Sequence, residues 1–145
     1  MPEELIFQGS GVAIEGRALL IEGPPGAGKS SLALALIDRG ATLIGDDGVR
    51  LVAATGGAPL AYPPPNIAGL IELRGVGIFD IETTAETHIS LILSLQSEQT
   101  NAPERLPNQL EMRSMLGAQI PVLPFVPGLI APGPRAEWAL RRHGI

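Results

Sequence analysis

The stretch GPPGAGKSSLALALIDRGATLIGDD, residues 23–47, decides the fold. Its first eight residues match the phosphate-binding pattern G-x-x-x-x-G-K-[ST] without a mismatch. An apolar run precedes this pattern and a nearly continuous apolar run follows it, as expected of a buried strand and a helix buried against a sheet. The sequence therefore predicts an α/β fold with a P-loop nucleotide-binding core.

Each residue type in this pattern contributes to holding phosphates. The glycines let backbone N–H groups point at phosphate oxygens, and the start of the helix adds a favourable dipole. We expect Lys29 to neutralise the β and γ phosphates of a nucleotide and the Ser30 hydroxyl to bind Mg²⁺. The predicted nucleotide-binding residues are Gly23, Pro24, Pro25, Gly26, Ala27, Gly28, Lys29, Ser30 and Ser31.

Two adjacent aspartates, Asp46 and Asp47, end the short strand expected over residues 41–45. Strand ends at the carboxyl edge of such a sheet point toward bound phosphates. One carboxylate could help to bind the metal while its neighbour accepts a proton from an incoming hydroxyl. An Asp-Asp-Gly turn into the next strand explains the same residues equally well. The pattern alone leaves both interpretations open.

Antiparallel hairpins are expected around this core. The first covers residues 12–21 with a turn at Glu15-Gly16-Arg17, and the second covers residues 49–62 around Gly56-Gly57. Two short strands interrupted by glycines are expected within residues 70–81.

The C-terminal half gives weaker signals. A strand is predicted over residues 88–96, with one apolar face formed by Ile89, Leu91, Leu93 and Leu95. Residues 99–109 are predicted to form a surface loop. The five prolines from Pro121 to Pro134 predict no regular structure. A short helix with basic residues at its end is expected over residues 136–142.

Composition narrows the class of protein. The chain has 145 residues and no visible repeat or internal boundary, so we expect a single domain over residues 1–145. A formal net charge of −5 argues against a nucleic-acid partner. Cysteine is absent, which excludes disulfides and thiolate chemistry. There is no signal-peptide pattern, and the longest apolar run is far shorter than the ~20 residues that cross a bilayer. The expectation is a cytoplasmic protein with no membrane partner.

A wider match bears on the role of the aspartates. Residues 23–51 followed by LIELRGVGIFDI, residues 70–81, resemble the HPr kinase/phosphorylase family. In that family the P-loop runs into a Leu-rich helix, a Lys/Asp-Arg-Gly end, a short strand and an Asp-Asp pair. A downstream Glu-Ile-Arg-Gly-Leu-Gly-Ile-type signature is matched here by residues 72–78. The resemblance covers residues 8–81 well and the remainder poorly.

The resemblance implies a catalytic domain of the PEP carboxykinase-like/HPr kinase type that uses ATP and Mg²⁺. It implies phosphorylation of a serine of the phosphocarrier protein HPr, and the reverse reaction by phosphorolysis with inorganic phosphate. By the same resemblance Asp46 is the catalytic carboxylate, Asp47 lies beside it, and Arg74 contacts phosphate or holds Glu72. The metal ligands so implied are Ser30, Asp47 and Glu72. The oligomeric state stays open, a homo-oligomer included.

Three features depart from the family pattern. Full-length members carry an N-terminal domain, whereas here the P-loop begins at Gly23, as in the short single-domain members. Gln8 stands where the family has a histidine, and glutamine can hydrogen-bond but cannot titrate. The C-terminal segment lacks a clear copy of the family's basic loop, which leaves Arg135 as a candidate for partner contact. We interpret His88 and His143 as structural rather than catalytic.

Two other functions fit the sequence as well. A small-molecule kinase would need a lid over its substrate, and residues 99–113, with Arg105 and Arg113, are the candidate segment. A non-catalytic nucleotide sensor would keep the phosphate-binding loop and lose other site residues, as the substitution at Gln8 suggests.

Overall fold

In the computed structural model, the described residues are 3–66, 68–97, 107 and 109–145. They form eleven strands and two helices. In chain order these elements are β1 (Glu4–Phe7), β2 (Ser10–Ile14), β3 (Arg17–Glu22), α1 (Lys29–Asp38), β4 (Thr42–Gly45), β5 (Val49–Ala54), β6 (Gly57–Tyr62), β7 (Leu70–Leu73), β8 (Gly77–Asp80), β9 (Thr87–Leu95), β10 (Glu111–Met115), β11 (Ala118–Phe125) and α2 (Pro132–His143).

Nine of these strands form one mixed sheet. Seven follow the order β1-β5-β6-β9-β3-β2-β4, while β11 pairs with the C-terminal half of β9 and β10 pairs with β11. Pairing is parallel between β9 and both β3 and β11, and antiparallel between the other neighbours. Strands β7 and β8 form a separate antiparallel pair. The predicted α/β class is thus present as a strand-rich mixed sheet.

The predicted hairpins are confirmed. Strand β2 pairs with β3 across the turn at residues 15–16, and β5 pairs with β6 across residues 55–56. The two short strands expected within residues 70–81 are β7 and β8. Helix α1 ends at Asp38, and Gly40 follows with a φ of 111°, the left-handed conformation expected after a helix. No helix in the described ranges is long and apolar enough to cross a membrane.

Apolar side chains are buried on both faces of the central strands. Leu19 of β3 packs in a cluster with Leu36 of α1 and Leu140 of α2. Leu20, the next residue of β3, packs in a second cluster with Leu51 of β5 and other side chains from the surrounding strands. Burial on both faces explains why β3 reads as a continuous apolar run and not as an alternating one.

Strand β9 confirms the strand predicted over residues 88–96, but the prediction of a single apolar face is wrong. Ala18 lies opposite Ile89 and Leu19 lies opposite Leu91, so Ser90 is an extra residue in the ladder. This bulge reverses the alternation. Ile89 therefore packs in the second cluster, whereas Leu91, Leu93 and Leu95 pack in the first.

The prediction of irregular structure from Pro121 to Pro134 holds for residues 126–131 but is wrong on either side of them. Strand β11 contains Pro121 and Pro124, and α2 begins at Pro132, four residues before the predicted start. Proline is tolerated in a strand where one side needs no ladder hydrogen bond. Pro121 is paired only with β10 and Pro124 only with β9, since the two pairings overlap along only part of β11. Proline in the first turn of a helix is favourable. Strands β1 and β10 were not predicted.

Candidate active site

The order of the strands brings the predicted site residues to one edge of the sheet. Strand β2 lies between β3 and β4 and is antiparallel to both, so β3 and β4 run parallel and end at the same edge. Ser10, which begins β2, lies opposite Ile21, and Gly11 lies opposite Gly45. The loop after β3 and the turn after β4 are therefore neighbours, with the start of β2 between them.

Residues 23–28, the glycine-rich loop, connect β3 to α1. The Ala27 N–H donates to the Pro24 carbonyl at 3.1 Å. Gly26 and Gly28 have φ values of 82° and 98°, a conformation that residues with a side chain rarely adopt. Gly28 caps α1 without a side-chain hydrogen bond. The first N–H groups of the helix thus have no capping side chain and can bind an anion.

Lys29 lies against the loop that precedes it. Its ammonium group donates to the carbonyl oxygens of Gly23 and Pro24, at 2.7 and 3.2 Å. It is also the only lysine of the 145-residue chain. The positive charge is thereby held beside the N–H groups at the start of α1, where it would strengthen the binding of an anion.

Asp46 is the hydrogen-bonded centre of this edge. It is buried, with 8% of its surface exposed. Its Oδ1 accepts from Ser30 Oγ at 2.7 Å and lies 3.1 Å from Ser10 Oγ, and its Oδ2 accepts from the Glu72 N–H at 3.3 Å. One carboxylate therefore connects the start of α1, the start of β2 and strand β7.

The turn after β4 requires glycine at its first position. A Cβ on Gly45 would collide with the Gly48 carbonyl oxygen and would lie 2.9 Å from Cδ of Pro64. Pro64 is itself buried, which places the predicted rigid proline loop against this turn. The carboxylate of Asp46 is thus held by a turn with little room to move.

Three further residues of the predicted site are exposed. Asp47 follows Asp46 in the turn, Glu72 lies on β7, and Arg74 lies between β7 and β8. Within the described ranges, neither a hydrogen bond nor an ion pair involves the Arg74 side chain, and Glu72 and Arg74 do not pair. The contact by which Arg74 would hold Glu72 is therefore not formed among the described residues.

Ser10 belongs to the site but was not predicted from the sequence. It is fully buried, and its hydroxyl also lies 2.6 Å from the backbone oxygen of Asp46. One sequence feature could have indicated its role: Ser10 is a lone hydroxyl residue between Gly9 and Gly11, at the start of an apolar strand.

Gln8 lies in the bend between β1 and β2, outside the Asp46 hydrogen bonds. Its side chain is exposed and makes no hydrogen bond to the described residues. A Cβ on the next residue, Gly9, would collide with the Ile21 carbonyl oxygen. The bend at Gln8 is therefore in close contact with the end of β3, just before the loop.

Arg113 stabilises the base of the loop. Its guanidinium donates two hydrogen bonds to the Glu22 carboxylate, at 2.6 and 2.8 Å, and Glu22 immediately precedes Gly23. The hydrogen bonds and the charge of Arg113 lower the pKa of Glu22, and those of Glu22 raise the pKa of Arg113. In this structure the Arg113 guanidinium is thus engaged with Glu22 of β3. Arg105 lies outside the described residues.

We predict that Arg113→Met lowers the free energy of unfolding by about 1 kcal/mol near pH 7, a value discounted because the pair is partly exposed. The pKa of Glu22 is depressed in the folded state, so the pair stabilises the fold above the ordinary value of 4.5 and loses this effect as pH falls below it. Urea unfolding at neutral and acidic pH measures this. Arg142→Met is the matched control, an exposed arginine without a partner among the described residues. A deficit that persists in acid would contradict the assignment.

Arg135 and His88 also have partners within the chain. The Arg135 guanidinium donates to the carbonyls of Ile130, Val126 and Pro127, and it lies 4.9 Å from the centre of the Phe125 ring. These contacts occupy the group predicted to contact a partner. His88 Nδ1 lies 2.6 Å from the Ala58 carbonyl oxygen, in agreement with a structural role.

The oxygen atoms around Ser30 fit Mg²⁺ binding. Among the described residues, no three His, Cys, Asp or Glu side chains converge. Mg²⁺ does not require this, because it usually keeps waters and substrate phosphates beside one or two carboxylates. The Ser30 hydroxyl and the Asp46 carboxylate are linked by a hydrogen bond, and the Glu72 N–H also donates to this carboxylate. The Ser30 and Asp46 oxygens are hard ligands of the type that this ion prefers.

Comparison with known sequences establishes the family. The family model described as HPr Serine kinase C-terminal domain matches residues 1–130. The chain belongs to this family. The resemblance inferred from the sequence is confirmed. HPr kinase/phosphorylase from Bordetella pertussis is 38% identical over 113 residues, and the protein of that name from Mycoplasma genitalium is 37% identical over 122 residues.

These relatives are longer than the matched region. The alignments cover 72% and 76% of this chain, but only 37% and 39% of the relatives' length. Among solved structures, the Hpr(Ser) kinase/phosphatase from Coxiella burnetii superposes with a TM-score of 0.80 at 25% identity, covering 95% of this chain and 90% of that one. The mixed, strand-rich α/β fold is thus shared with an HPr kinase family member.

Proposed function

We propose that this chain is the catalytic part of a kinase that transfers the γ-phosphoryl group of ATP to a serine of an HPr-type phosphocarrier protein. The observation that carries the proposal is the 2.7 Å hydrogen bond from Ser30 to Asp46, which joins the start of α1 to the aspartate turn. A phosphate-binding loop, a cation and two carboxylates then meet at one sheet edge, the combination that phosphoryl transfer needs. The names of the relatives support HPr as the acceptor.

In this proposal the glycine-rich loop and α1 hold the ATP phosphates. The backbone N–H groups after Gly26 would donate to phosphate oxygens, and Lys29 would exchange its contacts with loop carbonyls for contacts with the β and γ phosphates. Mg²⁺, held by Ser30 with Glu72 nearby, would neutralise charge that develops on the transferred group. Arg74, exposed at the tip of the β7–β8 pair, is positioned to contact phosphate or the acceptor.

The geometry favours Asp47 over Asp46 as the proton acceptor. Both oxygens of Asp46 already accept hydrogen bonds, and the carboxylate is buried. A general base must be within hydrogen-bonding reach of the hydroxyl it deprotonates. A serine on another protein approaches from solvent, and Asp47 is the exposed member of the pair. Asp46 then orients Ser30, and Asp47 accepts the serine proton.

The same residues would serve the reverse reaction. A protonated Asp47 would return its proton to the serine oxygen while inorganic phosphate takes the phosphoryl group, which yields serine and pyrophosphate. A protein acceptor suits this site better than a small molecule, because the exposed Asp47 and Arg74 leave the edge open among the described residues.

A transfer assay with γ-labelled ATP and Mg²⁺ tests the proposal. Parallel reactions contain an HPr-type protein, the same protein with its acceptor serine replaced by alanine, and free serine. We expect label only on the unmodified HPr-type protein. Label on free serine alone would favour a small-molecule kinase, and ATP binding without transfer would favour a nucleotide sensor.

Lys29→Ala is predicted to weaken ATP·Mg²⁺ binding by about 10- to 100-fold, the loss expected for a hydrogen bond to a charged group worth ~1.5–3 kcal/mol. Folding should be unaffected, since the hydrogen bonds of the Lys29 ammonium group within the described residues go to loop carbonyls. Titration calorimetry measures the affinity. Because Lys29 is the only lysine, ATP should also protect the wild-type side chain from acylation. Unchanged affinity, or acylation unaffected by ATP, would contradict the role given to the loop.

A further inference from the structure

A cavity of about 380 Å³ adjoins the glycine-rich loop. Its walls come from residues 24–27 of that loop, residues 96–97 after β9 and residues 126–128 after β11. None of the residues that hydrogen-bond to Asp46 lines it. Gly26 and Ala27 belong both to this lining and to the loop proposed to hold phosphates, so one ligand can occupy both places.

The chemistry of the lining differs from that of the phosphate site. Among the described residues, no charged side chain lines the cavity. Proline rings and Val126 supply apolar surface, and the Gln96 amide supplies a hydrogen-bond donor and an acceptor. The volume lies in the range of about 300–1,000 Å³ that is usual for small-molecule sites. Such a lining fits a flat, uncharged group that also forms hydrogen bonds, as a nucleoside does.

Two of the walls are held in place by the fold. The Gln96 N–H donates to the Phe125 carbonyl at 2.9 Å, which continues the pairing of β9 with β11 beyond the strand ends. Arg135 fixes the third segment, because its guanidinium binds the Val126 carbonyl through two N–H groups, both at 3.0 Å, and also binds Pro127. The planar fork of arginine allows several bonds at once, which lysine cannot reproduce.

We propose that this cavity binds the nucleoside part of ATP and that Arg135 is a positioning residue for its 126–128 wall. The inference rests on the proposed function, because the shared loop residues join the cavity to a nucleotide only if the loop holds phosphates.

Titration calorimetry with two probes tests this, ATP and inorganic tripolyphosphate, each with Mg²⁺. The second probe has the phosphates without the nucleoside. We expect the wild type to bind ATP at least about tenfold more tightly than tripolyphosphate, since the nucleoside adds buried contact area. Two variants should remove most of this preference: Val126→Trp fills the cavity, and Arg135→Ala removes the hydrogen bonds that hold residues 126–128. Both should keep an affinity for tripolyphosphate within about twofold of the wild-type value. Leu129→Trp is the control, since Leu129 is 99% exposed and outside the lining.

The outcomes separate the two proposals. Wild-type protein that binds neither probe would refute the proposed function and this inference together. Equal wild-type affinity for both probes would refute the inference alone. Loss of both probes in Val126→Trp and Arg135→Ala would show a general disturbance of the loop and would also overturn it. Compared with Arg135→Ala, Arg135→Lys should recover only part of the ATP preference. Full recovery would contradict the role given to the planar guanidinium group.

Discussion

Asp47→Asn should reduce phosphoryl transfer to an HPr-type protein by about 10²–10⁴, the usual contribution of a positioned general base. Asparagine keeps the shape of the side chain and cannot accept the serine proton. ATP binding should stay near normal, because Asp47 is exposed and the glycine-rich loop is unchanged. Steady-state transfer rates and calorimetry on the same preparation separate the two effects.

Asp46→Asn is the matched variant, with a different expected result. Its amide group keeps one oxygen acceptor in place of the two that now accept from Ser30 and the Glu72 N–H, and it removes the negative charge. A hydrogen bond to a charged group contributes about 1.5–3 kcal/mol, so thermal stability and Mg²⁺-dependent ATP affinity should fall together. Full activity in Asp47→Asn, with a stable but inactive Asp46→Asn, would return the proton-acceptor role to Asp46.

Gly45→Ala is predicted to have the largest effect on stability. The added Cβ meets the Gly48 carbonyl oxygen and the Pro64 ring, and neither can move without displacing the turn that holds Asp46. Overpacking of this kind costs about 1–3 kcal/mol or more. Chemical denaturation measures the loss, and transfer activity should fall with it because Asp46 is displaced from Ser30.

Gly57→Ala provides the control for that variant. Its Cβ would lie 3.6 Å from the nearest atom, Cε1 of His88, which is an ordinary contact. Its stability should change by less than about 1 kcal/mol. An equal effect of both substitutions would mean that loss of glycine in a strand, and not the collision at Gly45, accounts for the result.

The parts of this fold that were predictable depend on short-range patterns. The glycine-rich loop, the helix that follows it and the two hairpins predicted around residues 15–17 and 56–57 are each determined by a few adjacent residues. The proximity of Ser30 to an aspartate also followed from a general rule, since parallel strands end at the same sheet edge. The sequence therefore predicted that Ser30 and the aspartates lie at one edge of the sheet.

What could not be predicted depends on partners distant in sequence. The two prolines of β11 are compatible with a strand only because β9 and β10 each pair with part of it. The bulge at Ser90 reverses the facing of Ile89, and no local pattern marks it. Which of the two aspartates is buried depends on Ser10, which reaches Asp46 because β2 inserts between β3 and β4.

The most direct test of the central claim is the mass and the modified position of an HPr-type protein after incubation with this chain, ATP and Mg²⁺. We predict the addition of one phosphate, on a serine, and its absence when Lys29→Ala or Asp47→Asn replaces the wild type. An unmodified acceptor, with calorimetry demonstrating that the wild-type chain binds ATP, would contradict the proposal that this site transfers a phosphoryl group to protein.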